Sequence, residues 1–347
     1  MIRFDCDYTQ SAHQKILDRL SVSSTEQHAG YGKDGCCQRA AELVREACAA
    51  PDAAVHFMVG GTQANTTILS AMLRPHEGVI TAETGHIATH ETGAIEATGH
   101  KVLTLVGEAG KLSARQVEEA LAAHRDDLTQ EHTVKPGAVY VSHPTECGTL
   151  YTRAELTAIA AVCQEWGIPF MLDGARLGYA LAAESADVSL RDLAQLCDVF
   201  YIGGTKLGAL FGEAVVIVNR ELAKDFRYFI KRHGGLLAKG FLLGMQFECL
   251  FEDDLYMQLG RHGVEEAMHL RAGLAERGIR FAEETVCNQL FPIVSNELVD
   301  QLAADFAFAR WGRVDEKQQV IRLCTSWATK REDVVHLLAA IDAFAHA

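Results

Sequence analysis

Two short segments carry the residue types of a covalent cofactor site. Residues 170–176 (FMLDGAR) contain an apolar run that ends in Asp173, and residues 203–206 (GGTK) place Lys206 after three small residues. A carboxylate at the end of a buried strand requires a cationic partner, which a protonated pyridine nitrogen would supply. A lysine amine is the usual nucleophile for a carbonyl cofactor. In this order the segments indicate pyridoxal phosphate, although singly each is also typical of a helix cap or an ordinary turn.

A glycine-rich segment, residues 60–65 (GGTQAN), follows the first strong predicted strand and opens a predicted helix. Backbone amides at a helix start, with a threonine hydroxyl beside them, form a favourable phosphate site. The segment has neither the Gly-x-Gly-x-x-Gly fingerprint nor the Walker lysine, which disfavours nicotinamide dinucleotides and nucleoside triphosphates. A small monophosphate fits better, and a plain helix cap is the alternative.

A loop with two histidines, residues 82–94 (AETGHIATHETGA), follows the second predicted strand. Loops after parallel strands gather at the carboxyl edge of the sheet, so we expect His86, Asp173 and Lys206 to converge there. An imidazole can stack on a pyridine ring and exchange protons near neutral pH. We therefore assign a functional role to His86 and an exposed or structural role to His90.

The elements that position these residues alternate between short apolar, β-branched segments and amphipathic ones. This pattern predicts an α/β fold whose mainly parallel, seven-stranded sheet is covered by helices on both faces. The predicted strands are 54–59, 78–81, 101–106, 138–142, 169–173, 198–202 and 214–218, and predicted helices include 43–49, 114–123 and 156–166.

The pattern changes near residue 231, where a long helical stretch, 236–274, is predicted. Strand candidates at 280–281, 291–294 and 319–323 and a final helix at 331–345 follow it. The length of the chain favours one large domain and a smaller one. We expect a large α/β domain at 1–235 and a small α+β domain at 236–347.

Composition limits the class of partner. The formal net charge of −14 disfavours nucleic acid as the main partner, because phosphate backbones favour clustered Lys and Arg. The chain has no apolar run of about 20 residues and no signal-peptide pattern, so we expect no membrane partner and a cytoplasmic location. Its 10 cysteines lack metal-site spacing, so we expect reduced thiols and no bound metal.

The ordered motifs resemble those of the low-specificity L-threonine aldolases and their beta-eliminating lyase relatives, which are pyridoxal phosphate enzymes of fold type I, the aspartate aminotransferase-like fold. The resemblance begins at residues 4–8 (FDCDY) and 29–34 (AGYGKD) and reaches residues 322–327 (RLCTSW). It therefore covers nearly the whole chain. It implies a homodimer or homotetramer.

The resemblance also implies residue roles. Lys206 forms the covalent link to the cofactor, Asp173 pairs with its pyridine nitrogen, and His86 stacks on its ring. Together these three form the implied catalytic set. The phosphate is held at three adjacent residues, Gly61, Thr62 and Gln63.

The implied amino-acid site uses a second set of residues. Arg176 reaches the cofactor's phenolic oxygen and the substrate carboxylate, and Arg322 binds that carboxylate in a bidentate fork. Asp7, Tyr31 and Glu91 complete the implied substrate site. A base then removes the β-hydroxyl proton, and the candidates are His86 itself or a water molecule held by His86 or Glu91.

The sequence departs from the family pattern in three places. Residues 143–149 (HPTECGT) stand where many threonine aldolases have Thr-His-Asn followed by two glycines, so the usual second histidine does not align. Cys6 stands where a serine is frequent, and Lys33 replaces an acid. These changes could alter the choice of substrate.

The implied reaction is cleavage of L-threonine, L-allo-threonine or a related β-hydroxy-α-amino acid to glycine and an aldehyde. The same cofactor also supports β-elimination and transamination, because the bond that breaks depends on substrate orientation. A ligand-binding protein without catalytic activity on this fold is the alternative from another class. A nicotinamide dehydrogenase is disfavoured by the missing glycine fingerprint.

Overall fold

The computed structural model describes residues 1–345, and a sheet of seven strands lies at its centre. The strands of the described residues, in chain order, are β1 Ile2–Arg3, β2 Ala54–Met58, β3 Glu77–Ala82, β4 Val102–Leu105, β5 Lys135–Ser142, β6 Phe170–Asp173, β7 Val199–Gly203, β8 Glu213–Ile217, β9 Gln289–Leu290, β10 Ile293–Ser295, β11 Phe306–Ala307, β12 Ala309–Arg313 and β13 Gln318–Cys324.

The central sheet has the strand order β2-β8-β7-β6-β5-β3-β4. Strand β8 is antiparallel to both of its neighbours, and all other pairs in this sheet are parallel. Strands β6, β7 and β8 are buried along their whole length, as expected for apolar strands with helices on both faces. All seven strands predicted for the large domain are present, and the predicted α/β fold class is confirmed.

Helices cover this sheet and continue through the C-terminal part of the chain. They are α1 Gln14–Val22, α2 Gly35–Ala47, α3 Gly61–Met72, α4 His86–Thr89, α5 Ala114–Asp126, α6 Arg153–Trp166, α7 Leu177–Ala182, α8 Leu190–Leu196, α9 Arg220–Ala223, α10 Phe226–Arg232, α11 Phe241–Phe251, α12 Leu255–Glu276, α13 Asn296–Leu302 and α14 Arg331–Ala345.

Side-chain caps fix where several helices begin. Ser113 and Thr152 each accept a hydrogen bond from a backbone amide of the first turn, at the start of α5 and α6 respectively. In both helices the third residue returns a side-chain hydrogen bond to the cap backbone, which completes a capping box. The amphipathic pattern of the sequence predicts these helices, and the capping residues determine where each helix begins.

The helical stretch predicted from 236 to 274 is interrupted. Helices α11 and α12 are separated at Asp253 and Asp254, whose φ angles of 55° and 58° lie in the left-handed region. Two successive left-handed residues cannot continue a right-handed helix, and aspartate tolerates this conformation better than most residues. The chain therefore turns between the two helices.

The C-terminal strands form a small antiparallel sheet in the order β10-β13-β12, with β9 also paired to β13. Two of the three predicted strand candidates lie in this sheet. The candidate at 280–281 is reduced to a single bridge between Phe281 and Pro292. Strand β12 was not predicted, because its sequence, ARWGR, is mostly exposed and lacks alternating apolar residues.

Helix α12 contributes to two hydrophobic cores. Leu259 and Val264 pack into the core of the central sheet, whereas Leu270 and Leu274 pack with β13 and α14 in the C-terminal core. The domain boundary near residue 235 therefore stays a prediction. Within residues 1–345, no helix combines the length and apolar character needed to cross a bilayer.

Candidate active site

A cavity of about 500 Å³ lies where β3, β5, β6 and β7 end, facing strands β12 and β13. Four predicted site residues line it together, namely His86, Arg176, Lys206 and Arg322. Of the three residues expected to converge at the carboxyl edge of the sheet, His86 and Lys206 line this cavity and Asp173 does not. The other lining residues are Tyr8, His90, Glu146, Gln289, Ala309, Arg310 and Trp311.

A larger cavity, of about 840 Å³, lies at the opposite edge of the sheet. Its lining includes Pro169 and Asp198, which directly precede β6 and β7. Among its described lining residues there is no lysine, arginine or histidine. It therefore lacks the groups needed to bind a carbonyl cofactor or an amino-acid carboxylate.

Asp173 ends β6 as a buried carboxylate. Its Oδ2 accepts hydrogen bonds from the hydroxyl group of Tyr140 and from Nδ2 of Asn65, the latter at 3.3 Å. Burial alone would raise the pKa of this carboxyl group. The charge of His86, followed by the hydroxyl groups of Tyr140 and Tyr201, outweighs burial and lowers the pKa. The side chain is therefore a buried anion at neutral pH.

The ends of β6 and β7 approach each other too closely for any side chain between them. The amide of Gly203 donates to the carbonyl of Gly174 at 2.9 Å. A Cβ atom at Gly174 would overlap the carbonyl of Tyr201, and one at Gly203 would overlap the backbone of Ala175. This contact fixes the acid that ends β6 relative to the lysine that follows β7.

His86 begins α4 and is held from behind by a buried acid. Its Nδ1 lies 2.8 Å from Oε1 of Glu91, which also accepts a hydrogen bond from Asn65 at 2.7 Å. Burial alone would lower the pKa of His86, but the bond to Glu91 and the charge of Asp173 outweigh it, and the pKa is raised. The Glu91 side chain is 0% exposed. It therefore orients the imidazole and does not line the cavity.

The amine of Lys206 makes no hydrogen bond or ion pair within the described residues. The backbone of the lysine is fixed by Tyr179, whose hydroxyl donates to the Lys206 carbonyl at 2.6 Å. Burial and the charge of Arg176 lower the pKa of Lys206. A lowered pKa increases the neutral, nucleophilic fraction of the amine.

A buried acid, Glu213, lies close to this lysine in the chain fold. Burial raises the pKa of Glu213 to about 8, and its Oε1 accepts a hydrogen bond from the hydroxyl group of Thr205 at 2.9 Å.

Arg176 is held in a buried, bidentate ion pair with Asp7. Nε and Nη2 of Arg176 lie 2.6 and 3.0 Å from the two carboxylate oxygens of Asp7. Asn288 donates a further hydrogen bond to the same carboxylate at 2.9 Å. Asp7 was predicted to bind substrate, but both of its oxygens are occupied, and its position suits orientation of the arginine.

Arg322 lies on β13 with its guanidinium 5.0 Å from the ring centroid of Trp311. Its Nη2 donates to the carbonyl of Asp5 at 3.1 Å. Its Nε is buried and has no hydrogen-bond partner among residues 1–345. A buried unpaired donor in a cavity wall is costly unless a ligand satisfies it, which is consistent with binding of a carboxylate.

The predicted phosphate segment begins α3. Gly60 precedes the helix and provides no side-chain cap. The amides of Gly61, Thr62 and Gln63 belong to the first turn, where a helix offers no backbone acceptor. The side chain of Gln63 is used within the chain, since its Nε2 donates to the carbonyl of His233 at 3.1 Å. The first turn of α3 is therefore open to an anion.

Tyr31 lies apart from this cavity, in a second one shared with Arg227. Its carbonyl accepts a hydrogen bond from Arg227 at 2.8 Å, and Nζ of Lys231 lies 5.2 Å from its ring centroid. Its φ of 62° is unusual for a bulky residue, and the residue is 45% exposed. Within one chain Tyr31 does not meet the other predicted substrate residues.

Several site residues were not predicted. Tyr140 and Tyr201 lie on the strands that flank β6, and a tyrosine within an apolar segment of a strand beside the acid was the available signal. Trp311 lies on the unpredicted strand β12. Glu146 lies in the segment that departs from the family pattern, and His90, which was assigned an exposed or structural role, also lines the cavity.

Comparison with protein families gives a match to the model described as "Beta-eliminating lyase" over residues 7–297. The low specificity L-threonine aldolase of a Pseudomonas species is 34% identical over 275 residues, which cover 78% of each chain. The low specificity L-threonine aldolase of Pseudomonas aeruginosa is 33% identical over 277 residues, covering 79% of each chain.

Solved structures give the same relationship in three dimensions. The threonine aldolase of Leishmania major matches with a TM-score of 0.96 and 46% identity over 99% of both chains. An aspartate aminotransferase of Thermus thermophilus matches with a TM-score of 0.73 over 99% of this chain and 91% of its own, at 13% identity. The second match shows only that the two chains share a fold.

Proposed function

The chain belongs to the beta-eliminating lyase family, and from that premise we propose that it cleaves L-threonine, L-allo-threonine or a related β-hydroxy-α-amino acid to glycine and an aldehyde. The chain is a lyase that depends on pyridoxal phosphate. The observation that carries the proposal is the joint lining of one cavity by Lys206, His86, Arg176 and Arg322.

The residues present fit pyridoxal phosphate. Asp173 supplies a buried carboxylate that can pair with a pyridinium, and Lys206 supplies an unpaired amine. Asn65, in the first turns of α3, donates to Asp173, which brings the anion-accepting start of that helix beside the acid. A Cβ atom at Gly61 would lie 3.2 Å from the hydroxyl oxygen of Tyr201, so the backbone here is also close to the acid's hydrogen-bond partners.

The proposed roles follow from these contacts. Lys206 binds the cofactor covalently, Asp173 holds its ring nitrogen, and the amides of Gly61, Thr62 and Gln63 hold its phosphate. When bound, the cofactor disperses the charge that develops at the substrate Cα.

The proposed substrate site rests on two arginines. Arg322, with its unpaired Nε, binds the carboxylate of the amino acid. Arg176, oriented by Asp7, contributes a second guanidinium charge to the same wall. Two fixed positive groups orient the substrate so that the bond to be broken is defined by the cavity.

The decisive experiment measures both the covalent link between the protein and the cofactor and the products of the reaction. The protein is reduced with borohydride in the presence of pyridoxal phosphate, and its mass is measured for wild type, Lys206→Ala and the exposed control Lys101→Ala. We expect the mass of the bound cofactor on wild type and on the control, and none on Lys206→Ala.

Product analysis then separates aldol cleavage from its alternatives. L-threonine, L-allo-threonine and a β-substituted alanine are supplied, and we expect glycine with an aldehyde from the first two. Pyruvate and ammonia as the main products would favour β-elimination and contradict the proposal.

The state of assembly and the location are also proposals. We propose a homodimer or homotetramer in the cytoplasm, acting on a small amino acid without nucleic acid or membrane partners. The family resemblance supports the oligomer. The position of Tyr31 outside the cavity of its own chain supports it as well, because a neighbouring chain could then use this residue.

A further inference from the structure

Glu146 is the only carboxylic acid among the described residues that line the cavity. The other charged side chains of the wall include Arg176, Lys206, Arg310 and Arg322, which are cationic. A lone acid in such a wall has no role in binding a carboxylate or a phosphate, which it would repel. Its chemistry suits accepting a hydrogen bond or a proton from the substrate.

The geometry fixes one oxygen of Glu146 and leaves the other available. Oε1 accepts the hydroxyl hydrogen bond of Ser142 at 2.7 Å and the backbone amide of His86 at 3.0 Å. Oε2 makes no hydrogen bond within residues 1–345. The carboxyl group is therefore oriented by two donors while one oxygen can contact a ligand.

The candidate bases suggested by the sequence, His86 itself or a water molecule held by His86 or Glu91, are less suitable. Glu91 is fully buried behind the imidazole, with Oε1 shared by Asn65 and His86. His86 has a raised pKa because of Glu91 and Asp173, so it is protonated over a wider pH range and is a weaker proton acceptor.

We propose that Oε2 of Glu146 accepts the proton of the substrate β-hydroxyl group, an inference that rests on the proposed aldol cleavage. As the Cα–Cβ bond breaks, the O–H bond also breaks and the β-carbon becomes the aldehyde carbonyl. The electron pair of the broken bond stays on Cα, which then takes up one proton to give glycine. Glu146 returns its proton to the solvent, so no oxidant or reductant is needed.

The surroundings of Glu146 agree with this role. Burial, together with the charge of Asp173, raises its pKa, although Ser142 and His86 act in the opposite direction. A carboxylate whose pKa is raised is, while ionised, a stronger base than an exposed one.

The first test uses Glu146→Gln, which keeps the size of the side chain and an oxygen acceptor for Ser142 and His86. We expect cleavage of L-threonine to fall by about 10²–10⁴-fold, the usual contribution of general acid–base catalysis. Exchange of the glycine Cα proton for deuterium, followed by NMR, involves no β-hydroxyl and should stay within about 3-fold of wild type. The dissociation constant for pyridoxal phosphate should not change. The matched control is Glu83→Gln, at an exposed acid that precedes His86 in the same loop.

A second variant, Glu146→Ala, tests the chemistry directly. Added formate, a small carboxylate, should restore cleavage by at least about 10-fold if the lost group is a base. An equal loss of cleavage and exchange in Glu146→Gln, or full cleavage by it, would overturn the inference while the proposed function stands. A wild-type enzyme that exchanges glycine protons but releases no aldehyde would overturn both.

Discussion

At the scale of single residues, the hydrogen bond to Glu91, the acid behind the ring, helps raise the pKa of His86 against the effect of burial. Glu91 contacts Nδ1 at 2.8 Å without exposure to solvent. A buried carboxylate at this distance favours the imidazolium form. The charge of His86 in turn lowers the pKa of Asp173, so three ionisable groups are linked in one chain of contacts.

We predict that Glu91→Gln lowers the pKa of His86, because the substitution removes the negative charge that favours the imidazolium. NMR titration of the imidazole in the variant and in wild type measures this change. The exposed substitution Glu83→Gln is the matched control and should leave the titration of His86 unaltered. An unchanged or raised pKa in Glu91→Gln would contradict the assignment.

The ion pair between Arg176 and Asp7 should also matter for stability. We predict that Asp7→Ala lowers the free energy of unfolding by about 3–5 kcal/mol, because it leaves a buried guanidinium without its partner. Urea denaturation measures the loss.

Asp52→Ala removes one member of an ion pair with Arg220 in which both side chains are 82% exposed, and it should have no measurable effect. Equal effects of the two substitutions would show that the buried pair has no special role.

The sequence identifies the site residues that belong to local motifs. Asp173 and Lys206 were predictable because an acid ends an apolar strand and a lysine follows small residues. Glu146 was not, because its role depends on the fold of residues 143–149 back toward His86, which no local pattern encodes. The burial of Glu91 and the engagement of Asp7 likewise depend on long-range contacts.

At the scale of helices and strands, capping side chains determine where elements begin. Thr152 lies at the cap of α6 and Thr157 lies exposed in its second turn, so they allow the same substitution in two environments. We predict that Thr152→Ala lowers the free energy of unfolding by about 1 kcal/mol, because the first turn loses an acceptor.

Thr157→Ala should be neutral or slightly stabilising, because alanine has the higher helix propensity. Thermal or urea denaturation of both variants checks the difference. A larger loss at Thr157 than at Thr152 would contradict the assigned cap.

Which segments form helices or strands was largely predictable from the sequence. The positions at which a helix is interrupted were not. The seven central strands follow from their apolar, β-branched runs. The break at Asp253 and Asp254 is a backbone event within a continuous helical pattern, and strand β12 is held by its pairing with β13 and not by its own composition. Both depend on tertiary contacts that outweigh local propensity.

At the scale of the whole molecule, the separation of Tyr31 from Lys206 leads to a prediction about assembly. Tyr31, with Lys231 beside it, does not line the cavity that holds Lys206 in its own chain, and we propose that it reaches that cavity in a neighbouring chain. We predict that Lys206→Ala and Tyr31→Ala, each weakly active alone, regain up to about a quarter of wild-type activity when subunits are mixed and reassociated, because hybrid dimers hold one intact site.

Activity assays after mixing measure the recovery of activity. Light scattering measures whether the chain assembles into dimers or larger oligomers. Mixing Lys206→Ala with Arg322→Ala is the control, because both substitutions alter the same cavity. With Glu146→Gln as the partner variant, no recovery beyond that control is expected. A monomer in solution, or no recovery with Tyr31→Ala, would contradict a shared site.

Few substitutions are tolerated at the two glycines where β6 and β7 end. Neither Gly174 nor Gly203 can acquire a side chain without displacing the neighbouring backbone, so drift at these positions cannot adjust the spacing between the acid and the amine. Relatives that adapt to a different amino-acid substrate would have to change residues that line the cavity away from these two strand ends. Ala309 and Trp311 line that part of the cavity, and we expect them to differ between lineages that have diverged in substrate preference.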